Sequence, residues 1–217
     1  MKRVIAYIDG YNLYYGLLKG TPYKWLDLIS FVGEFVREDQ ELIAIKYFTA
    51  PIKTHPHDPP ALDRQKLYLH ALTTQNIVQV KYGFYSKHKT LAPYVQEECG
   101  RCPVAVNGYV PIMKLEEKRS DVNLAVEALS DAYENSADSF FFITGDSDQV
   151  GTIEKIRKGL GKRVCVFNPH ASFSIRLKTA ASYYQNIPRH LPARCQLPDV
   201  IPVGTHGRFI HRPDAWK

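Results

Sequence analysis

Two short runs constrain this chain more than any other feature. RVIAYID (3–9) and SFFFIT (139–144) are apolar at nearly every position rather than at alternate ones. That is the pattern of strands covered on both faces. Each run opens into a turn that carries acid: Asp9 after the first, and Asp146 and Asp148 in TGDSD after the second. The intervening text alternates strand and helix. WLDLISFVGEFVR (25–37), PPALDRQKLYLHALTTQ (59–75), SDVNLAVEALSDAYE (120–134) and QVGTIEKIRKGLG (149–161) read as helices. The third is expected to start on Ser120 as N-cap, and the last to stop at Gly161. LIAIKYFTA (42–50), IVQVKYGFY (77–85) and RVCVF (163–167) read as strands. Such alternation predicts one α/β domain, a central parallel sheet flanked by helices.

Two segments break the rhythm. Residues 86–118 hold Lys87, His88, Lys89, a Cys99–Cys102 pair and a second β-rich run, and are expected to form an inserted hairpin or loop. Residues 188–217 are rich in proline and basic, and read as an extended tail over the surface of a domain spanning 1–187.

The remaining composition narrows the function classes. No apolar run is long enough for a membrane span, and MKRVIAYIDG is too short and too soon acidic for a signal peptide, so a cytoplasmic protein is expected. Four cysteines do not make a disulfide scaffold. Residues 151–217 carry twelve Lys/Arg against three Asp/Glu in a chain of net charge +6, leaving residues 1–150 net acidic. A basic third suits a polyanion partner. No G-x-G-x-x-G or Walker loop occurs, and no Ser-His-Asp arrangement is legible, which argues against dinucleotide, NTP and serine-hydrolase chemistry.

In open parallel sheets, ligands sit outside the carboxyl ends of the strands, near a topological switch point. Asp9 and Asp146 both follow strands, so both belong on that rim. Asp121, in the first turn of its helix, can reach it, and Asn12 faces back toward Asp9. Each placement alone is also that of a simple helix cap; the coincidence of four points to a site.

YIDGYNLYYG, KRSDVNLAVEAL and FFITGDSDQVGTIEKIRKGLGKRVCVF resemble, in this order, the three signatures of the NYN domain, the LabA-like branch of the PIN-like nuclease superfamily. The resemblance runs from about residue 3 to residue 187. It implies a Rossmann-like PIN fold and metal-dependent cleavage of RNA. Asp9, Asn12, Asp121, Asp146 and Asp148 fall at the family's acidic and polar positions, with Asp9, Asp121 and Asp146 expected to hold metal directly or through water and Asp148 to stand behind them or hold a second metal. The chain departs from the pattern at Arg119, where glycine is common, and at Ser182, where an outer acid is usual. The first adds a cation that could touch phosphate; the second bears on the number of metals.

Converging carboxylates about 5 Å apart repel by roughly 3 kcal/mol at an effective dielectric of about 20. A hard cation relieves that repulsion, and all-oxygen ligands suit Mg²⁺ or Mn²⁺. Hydrolysis of a phosphodiester by metal-activated water is the expected reaction. A non-catalytic nucleic-acid-binding or regulatory module on the same fold is the alternative. Tyr11 could stack on a base. Thr144 and Ser147 could bond phosphate, and Arg157, Lys158, Lys162 and Arg163 could follow a nucleic-acid backbone. Each has an ordinary structural reading beside it: core packing, a helix cap, a solvated face. Cys99 and Cys102 could form half of a zinc site, although a lone C-x-x-C is a weak signal. The sequence leaves a homo-oligomer open.

Overall fold

The computed structural model describes residues 1–52, 58–93, 108–204 and 207–217. Six parallel strands form its centre, in the order β3-β2-β1-β6-β7-β8. They are β1 (Lys2–Asp9), β2 (Gln40–Thr49), β3 (Val78–Tyr82), β6 (Ser139–Ile143), β7 (Arg163–Asn168) and β8 (Tyr183–Asn186). The chain walks outward from β1 through β2 to β3, then returns to the other side of β1 with β6 and walks outward again. The order therefore reverses between β1 and β6, whose register pairs Val4 with Ser139 and Ile8 with Ile143.

Alternation along each strand supplies two cores. Val4, Ala6 and Ile8 of β1 join Phe141 and Ile143 of β6 on one face. Ile5 and Tyr7 join Phe140 and Phe142 on the other. Helices α2 (Leu28–Gly33) and α3 (Ala61–Thr73) cover the first face. The second is covered by α4 (Ser120–Tyr133), α5 (Val150–Glu154) and α6 (Ile175–Ala180). This is the helix-flanked parallel sheet expected from the alternation of the sequence.

The segment expected as an insertion pairs β4 (Phe84–Pro93) with β5 (Tyr109–Lys118) in a separate antiparallel ribbon, register Phe84↔Lys118 to Pro93↔Tyr109. The run at 77–85 is thus two strands, broken at Gly83. The described residues of 188–217 are folded onto the first core. Short helix α7 (Leu191–Arg194) and hairpin β9 (Val200–Val203)–β10 (Arg208–His211) bring Leu191, Cys195, Ile201, Ile210 and Trp216 into the same buried cluster as Trp25 and Tyr68. Trp25 donates its indole N–H to the Pro198 carbonyl at 2.9 Å.

Two local expectations are corrected. The helix expected over 25–37 is confined to Leu28–Gly33, because Asp27 caps it at Ile29 N (3.0 Å) while Leu26 bridges to Gln196. Ser120 is not an N-cap. Arg119 holds the cap position in the left-handed region (φ 79°) without a side-chain cap bond, and Ser120 is already helical.

Candidate active site

β1 ends in Asp9, which turns directly into α1 (Gly10–Leu13) and a π-helical turn, Tyr14–Leu18. Asp9 is 2% exposed. Its Oδ1 accepts the Asn12 backbone N–H at 2.9 Å, and its Oδ2 accepts the Asn12 side-chain amide at 2.5 Å and the Thr144 hydroxyl at 3.2 Å. Burial raises the Asp9 carboxyl above its usual range against these bonds, and the Glu117 charge adds to the rise. Asn12 Oδ1 accepts Gly145 N at 3.2 Å and lies 3.0 Å from His170 Nε2. The amide orientation thus makes Nε2 the protonated nitrogen. One side chain therefore ties the end of β1 to the loops after β6 and β7.

The glycines of this region are set by close approach. A Cβ on Gly10 would meet the Phe48 carbonyl oxygen at 2.7 Å, and one on Gly145 would meet Asn168 Oδ1 at 2.5 Å. No other residue fits beside either aspartate without moving backbone or a bonded side chain.

Asp146 caps the short turn Ser147–Gln149, accepting Asp148 N at 2.9 Å. Both strand-ending acids are thus helix caps, as the simpler reading required, and they also share a rim. The Asp121 carboxyl, in the first turn of α4, is pushed up to about 6 by lost hydration and then by the charges of Asp9, Asp146 and Asp148. Asp121 therefore feels the charge of each of the other three aspartates. Asp121 is also exposed at the surface, so water screens the repulsion and its energetic weight is smaller than the shift suggests.

Two residues on this rim escaped the sequence reading. Glu117, at the end of β5, is raised by burial and by Asp121, and it in turn raises Asp9. Ser120 Oγ stands beside it, close enough to favour its charged form. Yet both Glu117 Oε1 and Ser120 Oγ are buried without a partner at hydrogen-bond distance and angle. His170, two residues past β7, is lowered by burial and the Arg189 charge. Its position after a parallel strand was the available signal; Glu117 arrives by hairpin folding and had none.

The other expected residues separate into two groups. Tyr11 is exposed and stacks on Tyr15 (4.4 Å between centroids), and Thr144 is buried against Asp9. Ser147 lies in the Asp146 turn, and Arg119 is exposed over the Phe84 ring (4.9 Å). Arg157, Lys158, Lys162 and Arg163 do not share the rim. Arg163 begins β7, at the amino end of the sheet. Arg157 donates to the Ala181 carbonyl at 2.5 Å, Lys158 pairs with Glu154 at 2.6 Å, and Lys162 bonds Asn135 Oδ1. Cys99 and Cys102 lie outside the described residues; Cys165 and Cys195 are buried and free.

Among the described residues, no three His, Cys, Asp or Glu side chains stand together as a ready-made metal ligand set. Among them, too, no helix is long and apolar enough to cross a membrane.

A Vibrio parahaemolyticus protein of unknown function has a crystal structure that superposes with a TM-score of 0.52 at 19% identity. The match covers 86% of this chain and 93% of that one, and shows the shared fold. The chain is also 31% identical, over 99% of its length and 75% of the relative's, to the 6-hydroxy-3-succinoylpyridine 3-monooxygenase HspA of Pseudomonas putida. The NYN domain model matches residues 3–188, across every element that builds the acid rim, and the chain belongs to the NYN domain family.

Proposed function

We propose that the chain is a divalent-metal-dependent endoribonuclease that hydrolyses phosphodiesters at the rim formed by Asp9, Asp121, Asp146 and Asp148. The observation that carries this reading is the convergence itself. Asp121 is raised to about 6 by burial and then by the charges of three other aspartates brought from two separate loops, at the switch point where open parallel sheets bind ligands. Membership of a nuclease-like family supports it.

The donor set fits Mg²⁺ or Mn²⁺. It is all oxygen and like-charged, and Mg²⁺ is commonly held by one or two carboxylates with waters completing the shell, so a three-ligand cage is not required. Held by one or two of Asp9, Asp121 and Asp146, such an ion would activate water and neutralise charge on the phosphate. The chain's own residues supply the rest. Asn12 and Thr144 fix the Asp9 carboxylate through three hydrogen bonds. His170 and Gly145 N–H fix Asn12. In this reading Asp148, exposed at the mouth, takes the proton of the attacking water, and Arg119 and Tyr11 meet the RNA strand.

A second reading follows from the relative named as a monooxygenase, whose 31% identity spans nearly the whole chain. It would make this chain an oxygenase of a pyridine-type ring. The four-aspartate rim has no role in that reading, and the sequence lacks the Gly-rich loop of a nicotinamide or flavin Rossmann site. One experiment separates the two. Labelled single-stranded RNA is incubated with Mn²⁺, Mg²⁺ or EDTA, beside oxygen uptake on a hydroxypyridine with NADH. Metal-dependent fragments with no oxygen uptake support the nuclease; the reverse result removes it.

A further inference from the structure

Gly10, the residue after Asp9, also lines a cavity of about 270 Å³. The volume lies just below the usual range for small-ligand sites, roughly 300–1,000 Å³, and suits one ring system rather than a length of chain. Six tyrosines line it, among them Tyr11, Tyr14 and Tyr15 from α1 and the π-helical turn, and Tyr85 from β4. Core aromatics are normally covered, yet Tyr11, Tyr14 and Tyr15 are 47%, 37% and 46% exposed. The turn that presents Tyr14 and Tyr15 is a π-helix, a form that recurs at functional sites.

The cavity is polar at both ends. At the acid-rim end, Tyr11 and Tyr85 lie near Glu117, whose buried Oε1 lacks a partner. At the far end Arg64, paired with Asp58, stands beside Tyr14 and Lys24. A plain hydrocarbon ligand would waste these groups. A ring with donors and acceptors on its edge would satisfy them.

We infer that this cavity holds one nucleobase of the RNA strand, next to the phosphate cut at the acid rim, stacked on tyrosine with its edge read by Glu117 and Arg64. The inference rests on the nuclease reading for the identity of the strand. Stacking on an aromatic side chain tolerates every base and contributes about 1–3 kcal/mol. Glu117 and Arg64 then set which base is preferred.

The test is fluorescence titration of the full chain in EDTA, using Trp216, which lines the cavity. The probes are the four nucleoside monophosphates, a short single-stranded RNA and ribose 5-phosphate. Saturable quenching by at least one mononucleotide and by the RNA, but not by ribose phosphate, is expected. Tyr85→Ala should weaken binding about tenfold, whereas Tyr85→Phe, which keeps the ring, should bind as wild type. Tyr14→Ala, at a partly exposed position, serves if Tyr85→Ala fails to fold. No saturable quenching at millimolar mononucleotide, equal binding of ribose phosphate, or wild-type affinity in the folded alanine variants would overturn the inference. Cleavage is scored separately with Mn²⁺. Protein that cuts RNA but binds no mononucleotide loses the base site alone. Protein that binds but never cuts keeps the site and loses the nuclease.

Discussion

Asn12 grips both oxygens of Asp9, its backbone N–H on Oδ1 at 2.9 Å and its side-chain amide on Oδ2 at 2.5 Å. Its own carbonyl oxygen faces Gly145 N–H and His170 Nε2. Asn12→Ala should therefore do two things at once. It leaves the Gly145 N–H without this acceptor and strips Asp9 of one donor, a loss of about 1–3 kcal/mol in a thermal or urea melt. It should also cut RNA cleavage more than substrate binding, because the acid is no longer held in place. Unchanged stability and unchanged turnover would show that the amide is a bystander.

The pH dependence of the metal-free protein follows from Asp121. Its folded carboxyl is raised to about 6 from an ordinary value near 4, so the folded state binds the proton more tightly than the unfolded chain. Stability from this group is then greatest below about pH 4 and falls as pH rises through about 6. Asp9 adds to the trend in the same direction. Because Asp121 is exposed, we expect about 1 kcal/mol or less from it. Melts in EDTA across that window, on wild type and Asp121→Asn, should show the slope reduced in the variant. An identical slope in both would mean the four charges do not couple.

Beneath α4 a charged network has no part in the site. Lys46, with a side chain 10% exposed, pairs with Glu127 at 2.6 Å and Asp131 at 2.7 Å, and Tyr7 donates to Asp131 at 2.6 Å. Lys46→Met strands Asp131 beside a buried phenol and should cost about 3 kcal/mol. Lys81 keeps Glu127 paired at 2.8 Å, which limits the damage. Cleavage per folded molecule should stay at the wild-type level, since no atom of the rim is touched.

The tail can be tested the same way. Trp216 packs on Trp25 and Tyr68, each with centroids 6.2 Å away. Trp216→Ala should lower stability by about 3 kcal/mol, the low end for such a truncation. A melt that does not shift would mean that residues 188–217 lie loosely on the domain rather than complete its core.

What could be read without coordinates was what depends on local pattern. Strands β1, β2, β6 and β7 announced themselves by apolar runs, and the acids that follow β1 and β6 had to share a rim once the sheet was parallel. What escaped depended on pairs distant in the chain. Leu26 is held by Gln196, so the apolar run from Trp25 onward could not reveal where α2 begins. Glu117 reaches Asp121 and Asp9 only because a ribbon folds back. Arg119 in a left-handed cap displaced Ser120 from its expected role, which no propensity of arginine foretells.

Asp146→Asn tests the central reading. If the aspartate serves only as a cap, asparagine replaces it with a loss of about 1 kcal/mol or less, since it can also accept the Asp148 N–H. Neither metal binding nor turnover would then change. If it holds a cation with Asp9 and Asp121, the variant should fold as well as wild type, or slightly better without metal, because one of four like charges has gone. Its Mg²⁺ or Mn²⁺ affinity should nevertheless fall at least about tenfold, and RNA cleavage should vanish. Calorimetric titration of metal, melts with and without it, and gel analysis of labelled RNA on both proteins separate the two roles. A wild-type protein that takes up no divalent ion at millimolar concentration, or an Asp146→Asn protein that cuts at the normal rate, would leave the acids as caps and end the nuclease proposal.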